Sequence, residues 1–179
     1  MEEKSELGKI ITSLARKSIE YYLEEGRYLP LPSGLPPYLL NERRGVFVSL
    51  KKRGNLRGCI GTYIPQYENI AQEIIHNAVS AATQDPRFPP LQEEELPLLR
   101  ISVDILSYPE RVNSLEELDP EKYGVIVERG WRKGLLLPNI EGVDTVEEQI
   151  RIALAKAGIS PQEKFTIYCF TVDRYEEED

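Results

Sequence analysis

Leu-Arg-Gly-Cys-Ile-Gly, at residues 56–61, is the stretch around which the chain is organised. It belongs to a β-like run from Asn55 to Ile64. The period-two alternation of a strand predicts Leu56, Ile60 and Ile64 on one face and Arg57, Cys59, Gly61 and Tyr63 on the other. A core face supplied by leucine and isoleucine does not need a thiol and a guanidinium for packing. Glycines inside a strand often mark the close approach of a ligand or another backbone, so this stretch predicts a site.

The preceding residues make this strand one half of an antiparallel hairpin. Gly45 to Lys52 predicts the partner strand, and Arg53-Gly54-Asn55 supplies turn residues that tolerate positive φ. Basic side chains concentrate here, although the chain as a whole is acidic: Arg43, Arg44, Lys51, Lys52, Arg53 and Arg57. Two interpretations stay open, namely solvated residues that protect a sheet edge and a pocket for an anionic small molecule.

The remaining segments predict an alternation of helices and strands. Helical periodicity predicts helices over 5–25, 68–84 and from 145 to the stop at Gly158, with a single turn after Ser114. The proline-rich residues 27–41 are predicted to be extended and irregular. Strands are predicted over 99–108, 123–129, 133–137 and 165–172, followed by a frayed acidic tail over 176–179. The absence of a regular βαβ rhythm favours an α+β fold with a mainly antiparallel sheet.

Composition restricts the class of protein. The length of 179 residues, 41% apolar and 29% charged, suits one domain or one domain with a small subdomain. A net charge of −8 argues against a nucleic-acid binder, and no apolar run approaches the length of a membrane span. Two cysteines make a disulfide framework unexpected, and the charged N-terminus leads into a helix, unlike a signal peptide. We therefore expect a cytoplasmic protein.

A second segment of chemical interest follows the helix over 68–84. In Asp85-Pro86-Arg87-Phe88-Pro89-Pro90-Leu91 the prolines end the helix and fix an extended turn. Asp85 and Arg87 either pair and brace this turn, or Arg87 faces the site, while Phe88 is predicted to fill the core. His76, the single histidine, lies beside the apolar stripe of its helix and is predicted to be a partly exposed structural residue.

Four segments together resemble the AMMECR family, which is named for a human chromosomal region linked to Alport syndrome, midface hypoplasia and elliptocytosis. They are residues 56–61, 85–91, 101–103 and 134–138, and the resemblance spans nearly the whole of residues 1–179 in the right order. Within this family, the chain resembles the archaeal and bacterial single-domain members. The resemblance implies an α+β fold with helices flanking the sheet and two subdomains. The larger subdomain contains both termini, and the smaller one is inserted in the middle of the chain.

The resemblance marks Leu56–Gly61 as the family's hallmark, and three functions stay open. A binding protein would hold an anionic small molecule or partner in a cleft near the motif, through Arg57, Asp85, Arg87 and backbone N–H groups near Gly58 and Gly61. An enzyme would use Cys59 as a nucleophile, because neighbouring cations lower the pKa of a thiol. In a purely structural motif, the glycines would let the two subdomains approach each other.

Partners are implied by the resemblance alone. Some microbial members are associated with Memo-like proteins and radical-SAM proteins, and this chain lacks the Cys-x-x-x-Cys-x-x-Cys pattern of the radical-SAM component. No metal or cofactor is predicted, because the two cysteines and one histidine lack zinc-site spacing and no phosphate loop is present. The sequence leaves the oligomeric state open.

Overall fold

A computed structural model describes residues 1–178. The helices are α1 (Glu2–Glu25), α2 (Pro37–Asn41), α3 (Ile70–Thr83) and α4 (Val146–Ala157), with short 3-10 helices at Glu93–Leu98 and Leu115–Glu117. The strands are β1 (Val46–Lys52), β2 (Asn55–Thr62), β3 (Leu99–Leu106), β4 (Glu110–Arg111), β5 (Gly124–Arg129), β6 (Arg132–Leu136), β7 (Thr166–Phe170) and β8 (Val172–Glu176). None of these helices is both long enough and apolar enough to cross a membrane.

The chain forms two compact units. One comprises residues 1–105 together with the segment from 173 onward, and the other comprises residues 106–172. Each unit has its own four-stranded sheet, in the order β2-β1-β3-β8 in the first and β4-β7-β5-β6 in the second. The pairings of β1 with β2 and β3, and of β7 with β4 and β5, are antiparallel. The predicted α+β class with mainly antiparallel sheet is therefore confirmed.

The core of the first unit lies between its sheet and the helices α1 and α3. Val46, Val48 and Leu50 of β1 are fully buried, which is the alternation expected of a strand with one face in the core. Helix α3 is capped at its N-terminus by Asn69, whose side chain accepts a hydrogen bond from the N–H of Gln72 at 2.8 Å. This cap fixes where α3 starts and so which of its residues face the sheet.

The second unit packs α4 against β5 and β6. The helix begins after Thr145, whose side chain accepts from Glu148 N, and ends at Gly158, as the sequence predicts. Trp131, at the tip of the β5–β6 hairpin, is 89% exposed.

Three local predictions are wrong. The proline-rich segment is not wholly irregular, because Pro37 occupies the first turn of α2, where a missing N–H costs nothing. The strand expected over 165–172 ends at Phe170 as β7, and Val172 begins a further strand, β8, which continues to Glu176 in the other sheet. The acidic tail is held at Glu177, whose carboxylate accepts from Arg16 Nε at 2.6 Å; Asp179 lies outside the described residues.

Candidate functional site

Leu56–Gly61 lies on β2, the edge strand of the first unit's sheet. Cys59 is paired with Ser49 of β1, and the Cys59 Sγ and Ser49 Oγ atoms are 3.1 Å apart. The side-chain direction of Gly58 points at α3, so the next side chain along the strand, Cys59, faces the opposite way. The thiol is partly exposed and hydrogen-bonded to a hydroxyl on the sheet face that turns away from α3.

A β-bulge in the hairpin changes the faces predicted from alternation. Leu50 is paired with Gly58, but Lys51 is paired with Leu56, so Arg57 is the extra, unpaired residue. The slip turns Leu56 out of the core, and it is 42% exposed. The prediction that Leu56 shares the core face with Ile60 is therefore wrong, because the hydrophobic pattern contains no sign of the bulge.

The peptide of Cys59 is clamped by Asp85 and Arg87. Asp85 Oδ2 accepts from Cys59 N–H at 2.9 Å, and Arg87 Nη2 donates to the Cys59 carbonyl at 3.4 Å. Arg87 also donates to Asp85 from its backbone N (3.0 Å), Nε (3.0 Å) and Nη2 (2.8 Å). Of the two alternatives that the sequence leaves open, the Asp85–Arg87 pair forms. It covers the outer edge of β2, which would otherwise leave a strand edge unpaired.

This clamp is strongly asymmetric in exposure. The side chain of Asp85 is 2% exposed, while that of Arg87 is 55% exposed. Hydrogen bonds from the Arg87 guanidinium, and from the Cys59 and Arg87 N–H groups, hold the pKa of Asp85 well below its usual range despite burial. Asp85 is therefore buried and holds Arg87 in position, and Arg87 is the member of the pair that solvent or a ligand can reach.

Arg57 is paired on a different carboxylate. Its Nε and Nη2 donate to Glu95 at 2.9 and 3.1 Å, and Lys52 Nζ donates to the same carboxylate at 2.9 Å. Arg57 chiefly, with the Gln92 N–H and Lys52, lowers the pKa of Glu95 to about 2. Because its side chain is only 11% exposed, Arg57 contributes mainly to the support of the site.

Phe88 lies close to both Arg57 and Arg87. It is half-buried, and its ring centroid is 5.9 Å from the guanidinium carbon of Arg57 and 5.6 Å from that of Arg87. These distances are in the range of cation–π contacts. The prediction of a core plug is wrong, because the ring packs against two guanidinium groups at the surface of the motif.

The two glycines of the motif permit close packing within the first unit. A Cβ on Gly58 would lie 2.2 Å from the Ala81 carbonyl oxygen of α3, and a Cβ on Gly61 would lie 2.2 Å from the Phe47 ring. In the antiparallel ladder, alternate residues direct N–H groups outward. Because Cys59 N–H points outward to Asp85, Gly61 N–H shares that outer edge, whereas Gly58 N–H faces β1.

His76 lies in an aromatic stack. Its ring is 3.9 Å from that of Tyr67, nearly parallel to it, and 4.1 Å from that of Tyr28. Burial lowers the pKa of His76, opposed in part by the charge of Glu73. Its predicted partial exposure is confirmed. Within residues 1–178, no three histidine, cysteine or carboxylate side chains gather as metal ligands.

Three contributors to the surroundings of Leu56–Gly61 are absent from the predictions made from sequence. The spacing of a capping box in Gln92-x-x-Glu95 could have indicated Glu95. These contributors are Ser49, Glu95 and the Asp104–Arg174 pair, in which Arg174 Nε and Nη2 donate at 2.7 and 2.8 Å. Asp104 chiefly, and the Cys59 sulfur as the smallest contribution, raises the pKa of Arg174. Contacts between distant segments carry no local signal.

The chain is similar to known proteins over nearly its whole length. The family model described as AMMECR1 matches residues 12–177. A Thermotoga maritima protein is 56% identical over 163 residues, covering 90% of this chain and 94% of that protein. A Clostridium acetobutylicum protein is 53% identical over 168 residues, which cover 92% of this chain but 35% of that longer protein. The crystal structure of an uncharacterised Pyrococcus horikoshii protein has a TM-score of 0.89 at 36% identity, with coverage of 97% of this chain and 93% of that one.

Proposed function

The chain belongs to the AMMECR1 family, and we propose that the outer edge of β2, at Leu56–Gly61, binds the anionic group of a small molecule. The observation that carries this proposal is the state of Arg87. Its guanidinium is fixed by buried Asp85 next to Cys59, yet more than half of its side chain stays exposed. A charged donor that is already held in place loses little conformational entropy when it binds a ligand.

The donors that remain on this edge suit a small anion. Asp85 engages Nε and Nη2 of Arg87, which leaves Nη1 as the outward donor of the guanidinium. Gly61 supplies an outward backbone N–H two residues from Cys59 on the same edge. An anionic group that accepts from both would lie beside the thiol, as the sequence predicts for a ligand near the motif.

The clamp also favours a small molecule over an added strand. An extended peptide that paired with β2 would need the N–H and C=O of Cys59, and Asp85 and Arg87 already bind both groups. We further propose that the Memo-like and radical-SAM partners implied by the family resemblance supply or receive this ligand.

The test is capture from a mixture. The protein is incubated with a metabolite extract and desalted, and the retained molecules are identified by mass spectrometry. We expect stoichiometric retention of an anionic compound by the wild type and its loss in Arg87→Lys, which keeps a cation for Asp85 but loses the planar fork. Arg151→Lys, at an exposed pair with Glu148, is the matched control. Equal retention by wild type and Arg87→Lys would refute the assignment.

A second candidate function is catalysis by Cys59 as a nucleophile. The observation that favours it is the hydroxyl of Ser49, whose oxygen lies 3.1 Å from the Cys59 sulfur. The same incubation distinguishes the two functions, because capture without turnover supports binding, whereas a new product that disappears in Cys59→Ser supports catalysis.

A further inference from the structure

A cavity of about 420 Å³ lies at the turn of the β1–β2 hairpin. Its charged and polar wall is formed by Lys51, Arg53, Arg100, Ser102 and Glu176, and Pro97 to Leu99 form an apolar wall. None of the six motif residues is among its lining residues. Among the lining residues that the structure describes, three cations face one carboxylate, although the net charge of the whole chain is −8. The described part of this wall is therefore positively charged.

Two of these cations are placed at an electrostatic cost. Lys51 of β1 and Arg100 of β3 are directly opposite each other in the antiparallel ladder. Like charges at directly opposite positions destabilise a sheet. Arg100 donates to the Glu177 carbonyl at 3.1 Å and lies 3.7 Å from Glu176. Lys51 is exposed and forms no ion pair with any of residues 1–178.

The third cation, Arg53, occupies a strained backbone position. Arg53 has φ 52° and Gly54 has φ 81°, so both central residues of the two-residue turn have positive φ, as in a type I′ turn. Asparagine or glycine is favoured at the first of these positions. An arginine there, exposed and outside every ion pair of the described chain, is not explained by the turn itself.

We propose that this cavity, the Lys51–Arg53 pocket, binds a small molecule that carries two or more negative charges, such as a phosphate ester. Lys51, Arg53 and Arg100 bind the charged groups, and the Ser102 hydroxyl adds a neutral donor. The apolar wall accommodates an uncharged part of the ligand. A multiply charged ligand relieves the repulsion between Lys51 and Arg100, which a neutral ligand leaves in place.

Arg53→Asn separates this proposal from a structural role of the turn. Asn-Gly is the preferred sequence for a type I′ turn, so the variant keeps or raises the melting temperature. It also removes one charged contact, and we expect inorganic pyrophosphate to bind about tenfold more weakly, as one charge-assisted hydrogen bond is worth about that factor. Glu176→Gln removes the carboxylate of the pocket and is expected to bind pyrophosphate more tightly.

The measurement is isothermal titration calorimetry with inorganic pyrophosphate at low ionic strength. Lys17→Gln, at an exposed position of α1, loses one positive charge elsewhere and is expected to keep the wild-type affinity. The proposal is overturned if the wild type shows no saturable binding, or if Arg53→Asn binds as tightly as the wild type. It is also overturned if Arg87→Lys abolishes the binding, since pyrophosphate would then occupy the edge of β2.

Discussion

Replacement of Asp85 by asparagine tests whether the clamp holds the edge of β2. Both carboxylate oxygens accept from donors, Oδ1 from the Arg87 backbone N and Nε, and Oδ2 from Cys59 N and Arg87 Nη2. An amide offers one acceptor oxygen and one NH2 group. In either orientation of the substituted amide, the NH2 group would face two donors, so Asp85→Asn cannot reproduce the clamp.

The expected loss of stability follows from these contacts. Two charge-assisted hydrogen bonds are lost, each worth about 1.5 kcal/mol, and the half-exposed Arg87 recovers part of this by hydration, which leaves about 2–3 kcal/mol. In a protein of this size, such a change lowers the melting temperature by about 5–10 °C. Glu148→Gln, which removes the carboxylate of an exposed pair on α4, is the control and is expected to leave the melting temperature unchanged.

The pH dependence gives the same experiment a second readout. The pKa of Asp85 is lower in the folded than in the unfolded protein, so its stabilisation is present above the unfolded pKa of about 3.9 and is lost as the pH falls toward the folded pKa. The gap in melting temperature between wild type and Asp85→Asn should be constant from neutral pH to about 5 and narrow below about 4. If the melting temperatures do not differ at pH 7, or if the difference does not narrow in acid, then ionised Asp85 does not stabilise the edge of β2.

Two further predictions concern the motif itself. Gly58→Ala places a Cβ 2.2 Å from the Ala81 carbonyl and should destabilise the fold by about 3 kcal/mol in urea unfolding, and a fully stable variant would contradict that close approach. Cys59 should react with iodoacetamide faster than Cys169, because burial and nearby carboxylates raise the pKa of Cys169. Mass spectrometry of partly alkylated protein measures both sites, and equal, negligible labelling would contradict this prediction.

The helices and most strands could be predicted from local pattern. The ends of α1 and α4 at Gly26 and Gly158 follow from the positive φ that glycine adopts readily at a helix end, and the predicted hairpins form in both units. The break at Thr171, between β7 and β8, could not be predicted this way. Strand partners are chosen by long-range packing, and the local pattern does not show that the strands before and after this residue join different sheets.

The sequence marks Leu56–Gly61 as a candidate site, but it does not show the contacts made there. Without the bulge at Arg57, the two-residue turn would place Ser49 opposite Gly58 and not Cys59, so the thiol–hydroxyl contact depends on a slip that the sequence does not show. The pairing of Arg57 with Glu95 joins segments 38 residues apart. The Asp85–Arg87 pair, by contrast, is local, because the two residues are only two positions apart in the sequence.

The charges of the first unit divide into two kinds with different consequences for ligands. Arg87 is neutralised by Asp85, so it exerts little attraction at a distance, but its fixed planar donor can select the geometry of an anion. Lys51 and Arg53 form no ion pair with any of residues 1–178, and such cations attract anions over a Debye length without fixing their orientation. Raising the salt concentration should therefore weaken pyrophosphate binding at the Lys51–Arg53 pocket far more than ligand capture at Arg87. A similar salt dependence at Arg87 and at the Lys51–Arg53 pocket would contradict this distinction between paired and unpaired cations.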